Sequence, residues 1–238
     1  MDAVVTGGCG FIGSHLVDAL VGRGEKVTVI DNLSTGTERN IAVPLREGRA
    51  TLCRADLLSG GWEHLFAGAS RVYHLAADPD VRMSGVRPEA VVRNNFLATA
   101  RVLEAMRYHD VPRIVFTSTS TVYGEASVIP TPEDYAPLEP ISVYAASKLA
   151  CEALISAYCH SYGMRGWVFR FANIIGERSN HGVIWDFIRK LRENPRSLEI
   201  LGDGRQVKSY LDVRECVGAM LHAEDRARGT YNVYNIGS

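Results

Sequence analysis

Short apolar runs alternate with longer segments of helical spacing along the first 175 positions of the chain. The apolar runs are rich in β-branched residues and read AVVTGG, KVTVID, ATLCRADL, RVYHLAA, RIVFTST and GWVFRFA. The longer segments include SHLVDALVGRG and AVVRNNFLATARVLEAMRYHD. Near-continuous apolar strands between helices are typical of a parallel sheet that is covered on both faces. The pattern therefore predicts an α/β fold with a doubly wound parallel sheet.

The alternation loosens after about residue 175. GVIWDFIRKLREN predicts a helix, LEILG and KSYLDV predict short strands, residues 214–227 predict another helix, and YNVYNIGS predicts a last strand. We therefore divide the chain into residues 1–175, which carry the sheet, and residues 176–238, a smaller lobe with elements that return to the sheet.

Composition limits the partners and the compartment. The 238 residues are 46% hydrophobic and carry a formal net charge of −1, which gives no reason to expect a nucleic acid or an anionic membrane as partner. No apolar run approaches the roughly 20 residues that span a bilayer. The five cysteines are odd in number and scattered, as in reduced cytosolic proteins, and the histidines lack ligand spacing. We expect a soluble, cytoplasmic protein without a metal site.

The first motif with chemical content is TGGCGFIG, which joins the first strand to the first helix. Gly7, Gly10 and Gly13 are spaced so that the backbone and the helix N-terminus can approach a pyrophosphate. Asp31 closes the second strand about 20 residues later, where a carboxylate accepts hydrogen bonds from the adenosine ribose and repels a 2′-phosphate. Glycines before a helix also occur in plain tight turns. With Asp31, they predict a Rossmann domain that binds NAD rather than NADP.

Two later strand ends fit the same cofactor. Asp56 and Leu57 follow the third strand and suit an adenine edge, while Ala76 and Ala77 are small enough to let a dinucleotide pass close to the backbone. Ordinary packing between a strand and its loop explains these residues equally well.

The second motif is YAASK, in which Lys148 follows Tyr144 by four residues and shares its helix face. A free tyrosine has a pKa of about 10, and making it a base near pH 7 costs about 4 kcal/mol. A positive charge about 4 Å away supplies that order of energy at an effective dielectric constant of about 20. The same spacing is also common in ordinary helical pairs.

Successive motifs resemble the extended short-chain dehydrogenase/reductases that act on nucleotide sugars, most closely the archaeal-type UDP-glucose 4-epimerase branch. They read TGGCGFIGSHL, VIDNLSTG, HLAA, RNNFLATARVLEAM, TSTSTVYGE, SVYAASKLACE and FRFANIIG, in that order. The resemblance implies a homodimer that uses tightly bound NAD to epimerise a nucleotide sugar at C4, with UDP-glucose and UDP-galactose as the expected pair.

The resemblance also implies roles for individual residues. Tyr144 would be the base, Lys148 would lower its pKa and hold the nicotinamide ribose, and Thr119 would be the catalytic hydroxyl. Residues implied to contact NAD are Gly7, Gly10, Phe11, Ile12, Gly13, Asp31, Asn32, Ser34, Thr35, Gly36, Asp56, Leu57, Leu75, Ala76, Ala77, Asn95, Ser118, Tyr144, Lys148 and Phe171. Residues implied to contact the substrate are Arg82, Thr119, Tyr144, Asn173, Val183 and Lys208.

Two residues after Thr119 bear on the reaction that follows oxidation to a 4-keto sugar. Related dehydratases and decarboxylases carry acidic side chains there, whereas this chain has Ser120 and Thr121. Neither hydroxyl can act as a carboxylic acid, so the resemblance favours return of the hydride, which is epimerisation.

Three departures from the family pattern keep alternatives open. Lys208 stands where many relatives have an arginine on the diphosphate, and a lysine lacks the bidentate fork. Arg82 lies in the loop expected to face the sugar, where it is either a solvated charge or a partner for a uronate. Relatives also continue past NIGS, so the substrate lobe is expected to be incomplete. The alternatives are a UDP-hexuronate 4-epimerase, a dehydratase or decarboxylase, and a non-catalytic NAD-binding module.

Overall fold

Nine strands form two sheets in the computed structural model, which describes residues 2–180 and 182–237 apart from the side chains of residues 82 and 83. Seven strands pair in the order β3-β2-β1-β4-β5-β6-β9, and every pairing between neighbours is parallel. The strands are β1 Asp2–Thr6, β2 Lys26–Asp31, β3 Ala50–Arg54, β4 Arg71–His74, β5 Arg113–Thr119, β6 Arg165–Phe171, β7 Asn173–Ile175, β8 Tyr210–Asp212 and β9 Tyr231–Ile236.

The helices connect the parallel strands. They are α1 Phe11–Gly22, α2 Ala42–Arg46, α3 Val81–Val86, α4 Pro88–Val92, α5 Ala98–Tyr108, α6 Val143–Tyr162, α7 Val183–Glu193 and α8 Val213–Arg226. A π-helical turn at Arg93–Leu97 joins α4 to α5, and 3₁₀ turns cover Glu38–Ile41, Glu63–Phe66 and Ser120–Tyr123.

Two hydrophobic clusters cover the two faces of the large sheet. Successive residues of β1 point to opposite faces, so Val5 packs in the cluster with Leu16 of α1, while Val4 packs in the cluster with Val102 of α5. Because both faces are covered, the inner strands are apolar over most of their length, which is the pattern that the sequence shows. The predicted doubly wound α/β fold is confirmed.

The strand order reverses direction between β1 and β4. From β1 the chain moves outward through β2 and β3, and from β4 it moves the other way through β5 and β6. Ligands of such sheets bind in the crevice at the carboxyl ends of the strands beside this reversal. The glycine-rich turn after β1 and the loop after β4 both border it.

In the last 60 residues or so, the observed elements match the predicted ones only in part. α7, α8 and β9 appear where the patterns predict them, and β9 pairs with β6 in the large sheet. The predicted strand LEILG at 198–202 is wrong: Ile200 and Leu201 are exposed, and the segment has no neighbouring strand to pair with. A strand forms instead at Asn173–Ile175, where β7 pairs with β8.

Candidate functional site

The turn after β1 has room for a ligand because three glycines lack side chains. A Cβ on Gly13 would lie 2.2 Å from the Gly7 carbonyl oxygen, and one on Gly7 would lie 2.7 Å from the Ala76 nitrogen. Gly7 also has φ of +72°, a conformation that favours glycine. Gly10 then caps α1 without any side-chain hydrogen bond, so the first N–H groups of the helix face the crevice.

The carboxylate of Asp31 is oriented by the backbone on both sides of the crevice. Its Oδ2 accepts from the Cys9 N–H at 2.9 Å, and its Oδ1 accepts from the Leu33 N–H at 2.8 Å. Each oxygen keeps a second lone pair. Asp31 is therefore held at the end of β2 with capacity to accept from a ribose hydroxyl.

Tyr144, Lys148 and Thr119 meet at the carboxyl end of β5. Ser142 caps α6 by accepting from the Ala145 N–H at 3.1 Å, which places Tyr144 in the first turn of the helix. One turn further on, Lys148 Nζ donates to the Thr117 carbonyl at 2.8 Å. Thr119 forms a side-chain hydrogen bond with Tyr144, so phenol and hydroxyl face the same point.

Burial controls the protonation of this group. Burial raises the pKa of Tyr144 to about 12, the hydrogen bond with Thr119 opposes that rise, and the charge of Asp78 adds to it. Burial also lowers the pKa of Lys148 to about 8, which leaves the ammonium mostly protonated at neutral pH. The family resemblance implies that Lys148 lowers the pKa of Tyr144. In this structure burial outweighs any such lowering, and Thr119 supplies the opposing contact.

One cleft of about 810 Å³ runs from the glycine turn to this group. Its described lining contains most of the residues singled out from the sequence: Gly7, Gly10, Phe11, Ile12, Gly13, Asp31, Asn32, Ser34, Thr35, Asp56, Leu57, Leu75, Ala76, Ala77, Ser118, Thr119, Tyr144, Lys148, Phe171, Asn173 and Val183. Their contacts with a ligand stay predictions.

Three sequence candidates do not line the cleft. Gly36 packs against the backbone of Cys9, where a Cβ would come within 2.7 Å of its carbonyl carbon. Asn95 is buried, and its amide bonds the Asp78 N–H at 2.7 Å and the Ser147 hydroxyl at 3.0 Å. Lys208 is exposed. Gly36 thus packs beside the glycine turn, Asn95 lies beneath the cleft and Lys208 is exposed, and their contacts with a ligand stay predictions.

Asn94, which precedes Asn95 in the π-helical turn, lies in the lining of the cleft. The side chain of Arg82 lies outside the described residues, so its predicted sugar contact stays a prediction.

Sequence reasoning missed several lining residues. Asp78, Asn94, Trp185 and Tyr210 belong to the cleft, and Asp78 is close enough to raise the pKa of Tyr144. Asp78 follows the small residues after β4, so its place at a strand end was the available signal. Trp185 and Tyr210 come from the second part of the chain, where no local pattern indicates the orientation of a side chain.

The cleft fits a dinucleotide. A Cβ at Gly7 or Gly13 would fill the space at the glycine turn. The N-terminus of α1 offers uncapped N–H groups to a ligand. Asp31 lines the cleft at the end of β2. Ala76 and Ala77 line the cleft with small side chains, so a ligand can contact the backbone there. These features suit the diphosphate and the ribose of NAD.

The chain is similar to known proteins over nearly all of its length. The model of the NAD dependent epimerase/dehydratase family matches residues 3–237. A putative UDP-glucose 4-epimerase of Methanocaldococcus jannaschii is 37% identical over 92% of the chain and 72% of its own length. A dTDP-glucose 4,6-dehydratase of an Actinoplanes species is 34% identical over 100% of the chain and 76% of its own length. The crystal structure of a UDP-galactose 4-epimerase superposes with a TM-score of 0.90 at 45% identity, over 100% of the chain and 77% of that structure.

Proposed function

Because the chain belongs to the NAD-dependent epimerase/dehydratase family, with NAD as its cofactor, we propose that it epimerises a nucleotide sugar at C4. The proposed substrates are UDP-glucose and UDP-galactose. One observation carries the proposal: Thr119, Tyr144 and Lys148 line one cleft, and the side chains that follow Thr119 in it are the hydroxyls of Ser120 and Thr121.

The side chains divide the work of moving one proton. Tyr144 takes the proton from the sugar 4-hydroxyl and later returns it, while Thr119 hydrogen-bonds to the same oxygen. NAD, when bound in the cleft, would supply the hydride chemistry at C4. Lys148, cationic at neutral pH, stabilises the phenolate and fixes the end of β5 through Thr117. The pKa of Tyr144, about 12 in this structure, would fall when further positive charge enters the cleft.

Replacement of Tyr144 tests its role as the base. In Tyr144→Phe the ring and its packing remain but the transferable proton is lost, so turnover should fall by about 10²–10⁴-fold. The measurement is the rate of UDP-galactose formation from UDP-glucose, with bound NAD counted in the same sample. Tyr135→Phe, which removes a phenol from an exposed loop, is the matched control. Undiminished turnover in Tyr144→Phe with full NAD content would exclude the mechanism.

One observation favours a second candidate, a dehydratase or decarboxylase. Asp78 lines the cleft, and its charge acts on Tyr144, so a carboxylate is present near the base although none follows Thr119. If Asp78 serves as an acid in elimination, Asp78→Asn removes the release of water or carbon dioxide. If the enzyme is an epimerase, Asp78→Asn retains epimerisation.

A homodimer is proposed as well. α5 and α6, together with the turn before α5, expose apolar side chains at Leu97, Tyr108 and Tyr162. The family resemblance implies that these two helices pair with their copies across a two-fold axis, and the exposed side chains supply apolar area for such a contact. Sedimentation equilibrium should give twice the chain mass, and Tyr108→Lys/Tyr162→Lys should give the monomer mass. We also propose that residues 176–238 contribute part of the substrate-binding lobe.

A further inference from the structure

Arg54 lies beside Asp31, the residue predicted to select NAD over NADP. In the register of β2 and β3, Asp31 is paired with Arg54, and paired residues of parallel strands project from the same face. Asp31 lines the cleft, and Ala55 and Asp56 line it directly after Arg54. In dinucleotide-binding folds an arginine near this position accommodates the 2′-phosphate of NADP. A free Arg54 would therefore favour NADP and oppose the preference for NAD that Asp31 gives.

Glu38 binds that cation. Its Oε1 accepts from Arg54 Nε, and this hydrogen bond is the largest influence that lowers the pKa of Glu38. The carboxylate is thus ionised at neutral pH. Neither Glu38 nor Arg54 belongs to the lining of the cleft. The Arg54 guanidinium is therefore bound to Glu38 outside the cleft that the cofactor would occupy.

The position of Glu38 is fixed by its neighbours. The Thr37 N–H donates to the Cys9 carbonyl at 3.1 Å, and Asn40 Nδ2 donates to the same carbonyl at 2.9 Å. Cys9 is part of the glycine turn and also donates its N–H to Asp31. Glu38 therefore lies on a short segment that is attached to the cofactor loop at both ends.

We propose that Glu38 is a determinant of cofactor selectivity: by holding Arg54 away from the cleft it prevents the binding of a 2′-phosphate. Glu38 acts through Arg54 and is not itself a ligand of the cofactor. With both carboxylates present, Asp31, Glu38 and Arg54 carry a net charge of −1, whereas the loss of Glu38 leaves Asp31 and Arg54 with a net charge of zero. The inference depends on the dinucleotide cofactor and not on which sugar reacts.

Glu38→Gln tests the proposal because it keeps the size of the side chain and removes its charge. The purified protein is depleted of nucleotide, reloaded from an equimolar mixture of NAD and NADP, and the bound nucleotides are quantified by chromatography. Removing this surface charge interaction should raise the ratio of bound NADP to NAD about 5-fold. Affinity for NAD alone should change by less than about 2-fold.

Two further variants isolate the cause. Adding Arg54→Gln to Glu38→Gln should return the ratio to its original value, because the cation is then gone. Glu47→Gln breaks a similar exposed pair with Arg49 at the other end of β3 and should leave the ratio unchanged. Adenosine 2′,5′-bisphosphate, titrated calorimetrically into the same proteins, should bind more tightly to Glu38→Gln without any need for the nicotinamide half. An unchanged ratio in Glu38→Gln, or a gain that persists after Arg54→Gln, would overturn the proposal.

Discussion

His74 lies between two threonine hydroxyls beneath the cleft and is held in one tautomer. Thr99 Oγ1 donates to the Asn95 carbonyl at 2.7 Å, so it accepts from His74 Nε2 at 2.9 Å. His74 Nδ1 then accepts from the hydroxyl of Thr6 at 2.6 Å. Burial lowers the pKa of His74 to about 3, with a smaller effect from the charge of Lys148. The ring is therefore neutral over the whole range in which the protein would work.

This histidine should make the fold sensitive to acid. The pKa in the folded state lies below the ordinary 6.5, so between pH 6.5 and 3 the unfolded chain binds a proton that the folded chain refuses. The free energy of unfolding therefore decreases as the pH falls through that window. His74→Gln removes this titration. It should be less stable than the parent at pH 7 but lose less stability between pH 7 and 4.5, as measured by urea denaturation; an equal loss in both proteins would contradict the assignment.

The chemistry of single residues was predictable where it depends on spacing along the chain. The glycine positions, Asp31, and the Tyr144–Lys148 pair are fixed by local geometry and line the cleft as expected. Glu38 and Arg54 are 16 positions apart, and Asn95 and Ser147 are 52 positions apart, so only the folded chain reveals their contacts.

At the level of elements, one face of α6 holds the reacting end of β5. Lys148 bonds the Thr117 carbonyl, and Glu152, one turn later, accepts from the hydroxyl of Ser118. Glu152 also forms a buried ion pair with Arg170 of β6 at 2.7 Å. The hydroxyl of Ser118 is thus engaged by Glu152 in this structure, and the predicted contact of Ser118 with NAD stays a prediction. The helix and two strands are joined through a single carboxylate.

Breaking that ion pair should destabilise the fold strongly. Arg170→Met leaves the carboxylate of Glu152 buried without its cation, a change that costs about 3–5 kcal/mol in the free energy of unfolding. Arg170→Met combined with Glu152→Met should recover part of the loss. Arg189→Met breaks an exposed pair with Glu193 and should cost less than about 1 kcal/mol. Denaturant unfolding gives all three values, and a loss in Arg170→Met no larger than that of Arg189→Met would refute this account.

A strand or helix was predictable from the sequence when its own composition and length identify it, and it was not predictable when it depends on pairing with a distant segment. β1, β2, β4, β5 and β6 are largely buried on both faces, so their apolar composition is enough to identify them, whereas in the edge strand β3 only Ala50 is buried. Residues 198–202 have similar composition but no partner strand, and strand pairing rather than composition determines whether a strand forms. β7 was missed because its three residues are too few to show a period.

At the scale of the whole molecule, the large sheet places the cofactor residues and the reactive residues on one edge. The turn after β1, the end of β2 and the end of β5 all border a single cleft. Within the described ranges, helices long and apolar enough to cross a bilayer are not found. The cytoplasmic location stays a prediction, as does the homodimer.

The central claim is that the 4-keto sugar is reduced again and undergoes no loss of water or carbon dioxide. The most direct test incubates the NAD-loaded protein with UDP-glucose and follows the sugar by ¹H NMR and mass spectrometry. Epimerisation at C4 should give a mixture of UDP-glucose and UDP-galactose of unchanged mass. A product that is lighter by water or carbon dioxide, or no conversion although NAD is bound, would contradict it.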